Sequence, residues 1–162
     1  MHIKLIKKKL YFEHYKVKCS IGKRGISNKK KEGDKCTPKG NFKFKALYFR
    51  KDRIKKIKSV MKKIIIKKNM GWCNDISSRK YNQLIKFPFK HNAEKLYLKK
   101  KIYDIILVLN YNQNPVIKDK GSAIFMHLTK DYKPTIGCVA VKENDMRLII
   151  SKLNKNSKIS IY

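Results

Sequence analysis

The hydrophobic and polar positions of this 162-residue chain alternate far more often than they recur at helical spacing. Residues 2–10 read H-I-K-L-I-K-K-K-L, and residues 14–21 put Tyr15, Val17, Cys19 and Ile21 on one side, the period-two pattern of half-buried strands. Residues 41–50 resume it with Phe42, Phe44 and Ala46. Residues 102–110 form the most apolar run and predict a central strand, ended by the turn residues 110–115, N-Y-N-Q-N-P. Further buried strands are expected over 122–128 and 138–141, and an alternating one over 157–162. Between the second and third strands, residues 22–40 predict a polar loop with four glycines.

Helical spacing is clear in one place. Met146, Ile149, Ile150 and Leu153 recur at i, i+3, i+4 and i+7, with Glu143 and Asp145 suited to the positive N-terminal end of a helix over 143–153. Residues 55–68 fit both patterns, since Ile57, Val60, Met61 and Ile64 match a helix while Ile64, Ile65 and Ile66 favour a strand; a strand is expected for the second half. No repeat or linker divides the chain. The expectation is one mainly β domain over residues 1–162, with mixed sheets and one helix near the C-terminus.

Composition narrows the partners. The chain has 42 Lys and Arg against 11 Asp and Glu, a net charge of +31, so its field attracts anionic polymers. Only five of the basic residues are arginine (Arg24, Arg50, Arg53, Arg79 and Arg147), and specific nucleic-acid readout leans on arginine. No specific nucleic-acid partner is therefore expected, and the charge reads mostly as a solvated surface. The four cysteines form no C-x-x-C pair and the four histidines show no metal-ligand spacing. Neither a metal nor an organic cofactor is implied. No run is apolar enough over a membrane's thickness to cross it as a helix, and the first residues carry no apolar leader segment. On sequence alone the chain is assigned to the cytoplasm, or to the cell wall or periplasm through a leader outside these residues or another route. The oligomeric state is not legible.

Candidate chemistry concentrates in residues 124–141, IFMHLTKDYKPTIGCVAV. His127 ends one apolar run and Cys138 begins another. A thiol beside an imidazole is the minimum for cysteine nucleophilic catalysis, because the thiolate attacks and the imidazole generates it. Gly137 permits a tight turn before the thiol, where the Gly137 and Cys138 amides are placed to serve as oxyanion donors.

Thr135-Ile136-Gly137-Cys138 followed by Val139 resembles the [Ser/Thr]-x-Gly-Cys-hydrophobic motif of the L,D-transpeptidase catalytic domain, the YkuD-like family. A second stretch, Gly33-Asp34-Lys35-Cys36-Thr37-Pro38-Lys39-Gly40-Asn41-Phe42, is similar to the family's Gly-x-x-x-Thr-Pro-x-Gly-x-Phe element. Gly71-Trp72-Cys73-Asn74-Asp75 and Tyr81-Asn82 resemble a compact bacterial subgroup. The resemblance implies a sandwich-like mainly β fold and a cysteine acyl-transferase acting on peptidoglycan stem peptides or muropeptides. It implies Cys138 as nucleophile, His127 as general base and acid, and Gly137 as a backbone oxyanion donor. Thr135 takes the motif's hydroxyl position, Thr129 is a candidate to orient the imidazole, and Trp72 is a candidate wall of the donor groove. The chain departs from the family pattern where Ile136 replaces a common second histidine, where Leu128 replaces a common glycine, and in the short interval from His127 to Cys138. These departures bear on the group that orients the base and on the acceptor side. Transpeptidation, with 3→3 cross-linking or exchange of the terminal D-amino acid, therefore stands beside hydrolysis by an L,D-carboxypeptidase or other cysteine peptidase or amidase. A basic polyanion-binding module without catalysis is the alternative from another class.

Overall fold

A computed structural model describes residues 1–28 and 31–162; positions 29 and 30 of the expected polar loop lie outside the described residues. In chain order the strands are β1 (His2–Ile6), β2 (Lys9–Phe12), β3 (Tyr15–Lys18), β4 (Ile26–Ser27), β5 (Thr37–Pro38), β6 (Gly40–Phe49) and β7 (Lys63–Ile65). They continue with β8 (Met70–Cys73), β9 (Leu84–Lys86), β10 (Ala93–Lys95), β11 (Ile105–Leu109), β12 (Phe125–Leu128) and β13 (Val139–Val141), then helix α1 (Glu143–Lys152) and β14 (Lys158–Ile161). A single 3₁₀ turn, Lys101–Tyr103, precedes β11.

The main mixed sheet runs β13-β12-β11-β6-β14-β1-β2-β3, with β7 beside β6. Its ends nearly meet: Ser20, just past β3, exchanges backbone hydrogen bonds of 2.8 and 2.9 Å with Ala140 of β13. Joining the ends leaves less edge backbone unpaired. A three-stranded sheet, β10-β8-β9, and the short parallel pair β4-β5 complete the strands. The mainly β expectation holds, with the sandwich taking the form of a nearly closed sheet that carries a small second sheet.

Alternation along the central strands builds two cores. Ile105, Leu107 and Leu109 of β11, Met126 and Leu128 of β12, and Val139 and Val141 of β13 pack with Met146, Ile149 and Ile150 of α1. Ten residues are too few for a helix to hold itself in water, so this buried stripe, worth roughly 1.5–3 kcal/mol per large side chain, stabilises it. The intervening residues, Ile106, Val108, Phe125 and Cys138, face the other way and pack with Tyr48 of β6, Met70 and Trp72 of β8, and Tyr103.

Three expectations need correction. Phe42, Phe44 and Ala46 do not share one face, because a bulge between Phe44 and Ala46 turns Phe44 to the helix-side core and Ala46 to the other. Residues 2–10 are not one strand, because Lys7 and Lys8 adopt positive φ (45° and 63°) and turn the chain into a two-residue hairpin that pairs Leu5 with Leu10. Two lysines lack the Asn-Gly signature of such a turn, so the break is silent in the sequence. Residues 122–128 are strand only from Phe125, since Ala123 has φ 51°. The ambiguous segment forms β7 in its second half, as expected. No helix among the described residues is long and apolar enough to cross a membrane.

Candidate active site

β12 and β13 run parallel, with Met126 opposite Val139, His127 opposite Ala140 and Leu128 opposite Val141. Because side chains alternate, committing Met126, Leu128, Val139 and Val141 to the helix-side core turns Phe125, His127, Cys138 and Ala140 to the opposite face. His127 and Cys138 therefore stand on one face of adjacent strands. Both line a cavity of about 760 Å³.

Cys138 lines the cavity, its sulfur donating to the Ala123 carbonyl (3.2 Å) and accepting from the Phe125 amide (3.4 Å). His127 Nδ1 lies 2.9 Å from the Leu128 carbonyl oxygen. A carbonyl can only accept, so Nδ1 carries the proton and the lone pair is on Nε2. The ring packs edge-on against Tyr103 at 5.3 Å. Burial pushes the imidazole down to about 4, with the Leu128 hydrogen bond opposing part of that shift. The imidazole is thus neutral at ordinary pH and able to take a proton. Tyr103 donates from its hydroxyl to Glu94 at 2.5 Å, and burial, with Cys138 and Glu94 nearby, pushes its phenol well up.

The turn ahead of the thiol is held by two threonines. Thr135 donates its hydroxyl to the Cys138 carbonyl (2.6 Å) and accepts from the Gly137 amide (3.1 Å). Thr37 of β5 donates to the Gly137 carbonyl (2.8 Å) and accepts from the Gly22 amide (2.8 Å). Gly137 has φ 149°, and a Cβ there would stand 3.0 Å from the Cys36 carbonyl oxygen. At Gly22 a Cβ would meet the Lys35 carbonyl oxygen at 2.4 Å, so only glycine permits this approach. The Thr-Pro stretch and the Gly-Cys stretch are two halves of one packed unit.

Three expected roles change. The Gly137 amide, expected as an oxyanion donor, is engaged by the Thr135 hydroxyl within the turn. Thr129, expected to orient the imidazole, lines the cavity but accepts from the Tyr132 amide (3.0 Å); the Leu128 carbonyl orients the ring instead. Trp72 is a core residue rather than a groove wall, stacked edge-on against Phe125 at 5.1 Å with its indole N–H on Asn82 (3.0 Å). Thr135 lines the cavity and bonds within the turn. Ile136 stands exposed at the cavity rim.

The remaining cysteines lie elsewhere. Cys19 is buried in the helix-side core, and burial pushes its thiol up to about 12. Cys73 is buried in β8. Cys36 is half-buried in the loop ahead of Thr37.

Sequence reasoning missed Tyr103, Glu94 and the Leu128 carbonyl. It also missed the work of Asn82, whose Oδ1 accepts from Trp72 and from the Ala123 amide (3.1 Å) while its amide donates to the carbonyls of Tyr111 and Asn112. Asn82 thereby anchors the segment whose Ala123 carbonyl meets the thiol. The Tyr81-Asn82 pair was visible as a motif; its task was not.

The family model of the L,D-transpeptidase catalytic domain, YkuD, matches residues 4–161. The chain belongs to the L,D-transpeptidase catalytic domain family. Comparison with curated proteins finds no match. The L,D-transpeptidase family comprises cysteine enzymes acting on peptidoglycan peptides, and its match spans both packed halves of the unit around the turn.

Proposed function

We propose that this chain is a cysteine acyl-transferase of peptidoglycan stem peptides, with Cys138 as nucleophile and His127 as general base and acid. The observation that carries the reading is the shared face. Cys138 and His127 open into one cavity from adjacent parallel strands, with the imidazole proton committed to the Leu128 carbonyl and the lone pair on Nε2.

In this reading His127 Nε2 takes the Cys138 proton, and the thiolate attacks the carbonyl on the L-centre of the third stem residue. The tetrahedral adduct collapses as the imidazolium returns the proton to the departing amine, which leaves as the terminal D-amino acid. The product is a Cys138 thioester. An amine of a second stem then attacks it, Nε2 accepts the amine's proton, and collapse expels the thiolate, which recovers the proton. Water in place of the amine gives hydrolysis by the same steps. The thioester is reactive enough toward amines near neutral pH for transfer. The Gly137 amide reaches an oxyanion only by releasing Thr135.

Intact-protein mass spectrometry tests the reading. Incubation with a stem tetrapeptide or a carbapenem is expected to add one acyl group to the wild-type chain and none to Cys138→Ala. Acylation of Cys138→Ala would sink the proposal. The ratio of amide to acid product, with and without an added acceptor amine, separates transfer from hydrolysis.

A further inference from the structure

The chain has 11 acidic residues against 42 basic ones, yet Glu32 and Glu94 both line the cavity over Cys138. Glu94 accepts from the Tyr103 hydroxyl and Glu32 from the Tyr81 hydroxyl, each at 2.5 Å. Burial raises the Glu94 carboxyl above its ordinary value, the Tyr103 hydrogen bond opposes this, and the Glu32 charge adds to it. The two carboxylates are therefore within electrostatic reach of each other. Among the described residues neither is paired with a lysine or arginine, although Lys100 lines the same cavity.

An independent observation points to a ligand at this end. Ser122 lines the cavity and is only 6% exposed, and its hydroxyl oxygen has no hydrogen-bond partner. Its neighbour Gly121 donates its amide to the same Tyr81 hydroxyl that holds Glu32 (3.0 Å). Tyr81 thus brings the carboxylate and the unsatisfied hydroxyl to one end of the cavity. A buried hydroxyl without a partner is costly, and a ligand carrying donors relieves that cost.

A group that meets two carboxylates and a hydroxyl acceptor must be positive and supply several donors. A primary ammonium does so with three N–H bonds from one atom. A carboxylate or phosphate would add like charge to the wall. The wall is also tied to the proposed dyad, because Glu94 holds the hydroxyl of the tyrosine whose ring packs on His127.

We infer that Glu32, Glu94 and Ser122 form a subsite for a primary ammonium group on the side chain of the peptide substrate. That the bearer is a diamino acid of a stem peptide rests on the acyl-transfer reading above. The subsite selects substrates with a free side-chain amine over those in which it is acylated.

The test is binding to full-length Cys138→Ala protein, measured by calorimetry. The probes are L-Ala-γ-D-Glu-L-Lys-D-Ala and the same peptide with Nε-acetyl-lysine. Acetylation is expected to weaken binding roughly tenfold or more, the loss of charge-assisted bonds. With Glu32→Gln and Glu94→Gln added, the two peptides are expected to bind alike. Equal affinities with both glutamates present overturn the inference, and so does failure of both peptides to bind. A preference that survives in the glutamine variant also overturns it. The peptide pair in the glutamate-intact protein needs no glutamate variant to fold. Acylation of the wild-type chain is read separately by mass, so an ammonium preference without acylation sinks the acyl-transfer reading alone. Acylation without a preference sinks the subsite alone.

Discussion

The two faces of β11–β12–β13 are made by the same strands and do opposite work. The helix side is filled by Leu107, Met126, Val139 and their neighbours against α1, with aliphatic side chains throughout these strands. The other face carries His127, Cys138 and Tyr103 around a cavity, and it keeps a buried imidazole and an unpartnered Ser122 hydroxyl. The contrast shows how a small β protein tolerates a polar site. Tight packing on one face sets the strand register, and the register places every second residue on the other face with the same accuracy.

The largest expected effect falls on the polar face. Cys138→Ala should lower turnover about 10³-fold or more while leaving the thermal midpoint near that of the wild type. A midpoint collapse would mean the thiol packs rather than reacts.

His127→Asn should reduce kcat about 10²–10⁴-fold. In the wild type the acid limb of kcat/KM is expected near pH 4, not near 6.5, because burial lowers the imidazole. The unfolded chain, with an ordinary histidine, binds more protons than the native one between those values. Stability should therefore fall as pH drops from about 6.5 toward 4, and His127→Asn should lose that part of the slope. An acid limb near 6.5 would show that the ring meets water before it reacts.

Substitution on the helix side should invert the pattern. Leu107→Ala deletes a fully buried side chain and is expected to cost about 2–5 kcal/mol in denaturant unfolding. Turnover per folded molecule should be close to wild type. A kcat loss as large as that of the His127 variant would erase the distinction between the faces.

The smallest effect sharpens the link between the two sequence motifs. Thr37→Val keeps the side-chain shape but orphans the Gly22 amide and the Gly137 carbonyl, which is expected to cost about 1–3 kcal/mol. If the turn before Cys138 depends on that hydroxyl, kcat should fall with little change in KM. Unchanged kcat would make Thr37 a purely structural residue.

Much of this was legible along the chain. The apolar runs ending in His127 and beginning at Cys138 were legible as buried strands, but not that they pair in parallel with both residues on one face. Helix α1 follows from Met146, Ile149 and Ile150 at helical spacing. The Thr-Pro and Gly-Cys motifs were visible as a pair, but not that Thr37 bridges Gly22 to Gly137, because a contact across 100 residues leaves no local periodicity. The Lys7–Lys8 hairpin lacked a turn signature. Trp72 and Thr129 were misassigned because residue type says nothing about which side of a wall a ring or hydroxyl occupies.

The sequence alone determined most strands of the main sheet, the helix, the residues able to do cysteine chemistry and the family resemblance, since these rest on local pattern and residue type. Tertiary structure alone decided that the Leu128 carbonyl orients the imidazole, that Thr135 occupies the Gly137 amide, and that two scarce carboxylates line the same cavity as the thiol. Each of those depends on backbone groups or on residues far apart in the chain, and their positions exist only once the sheet has closed.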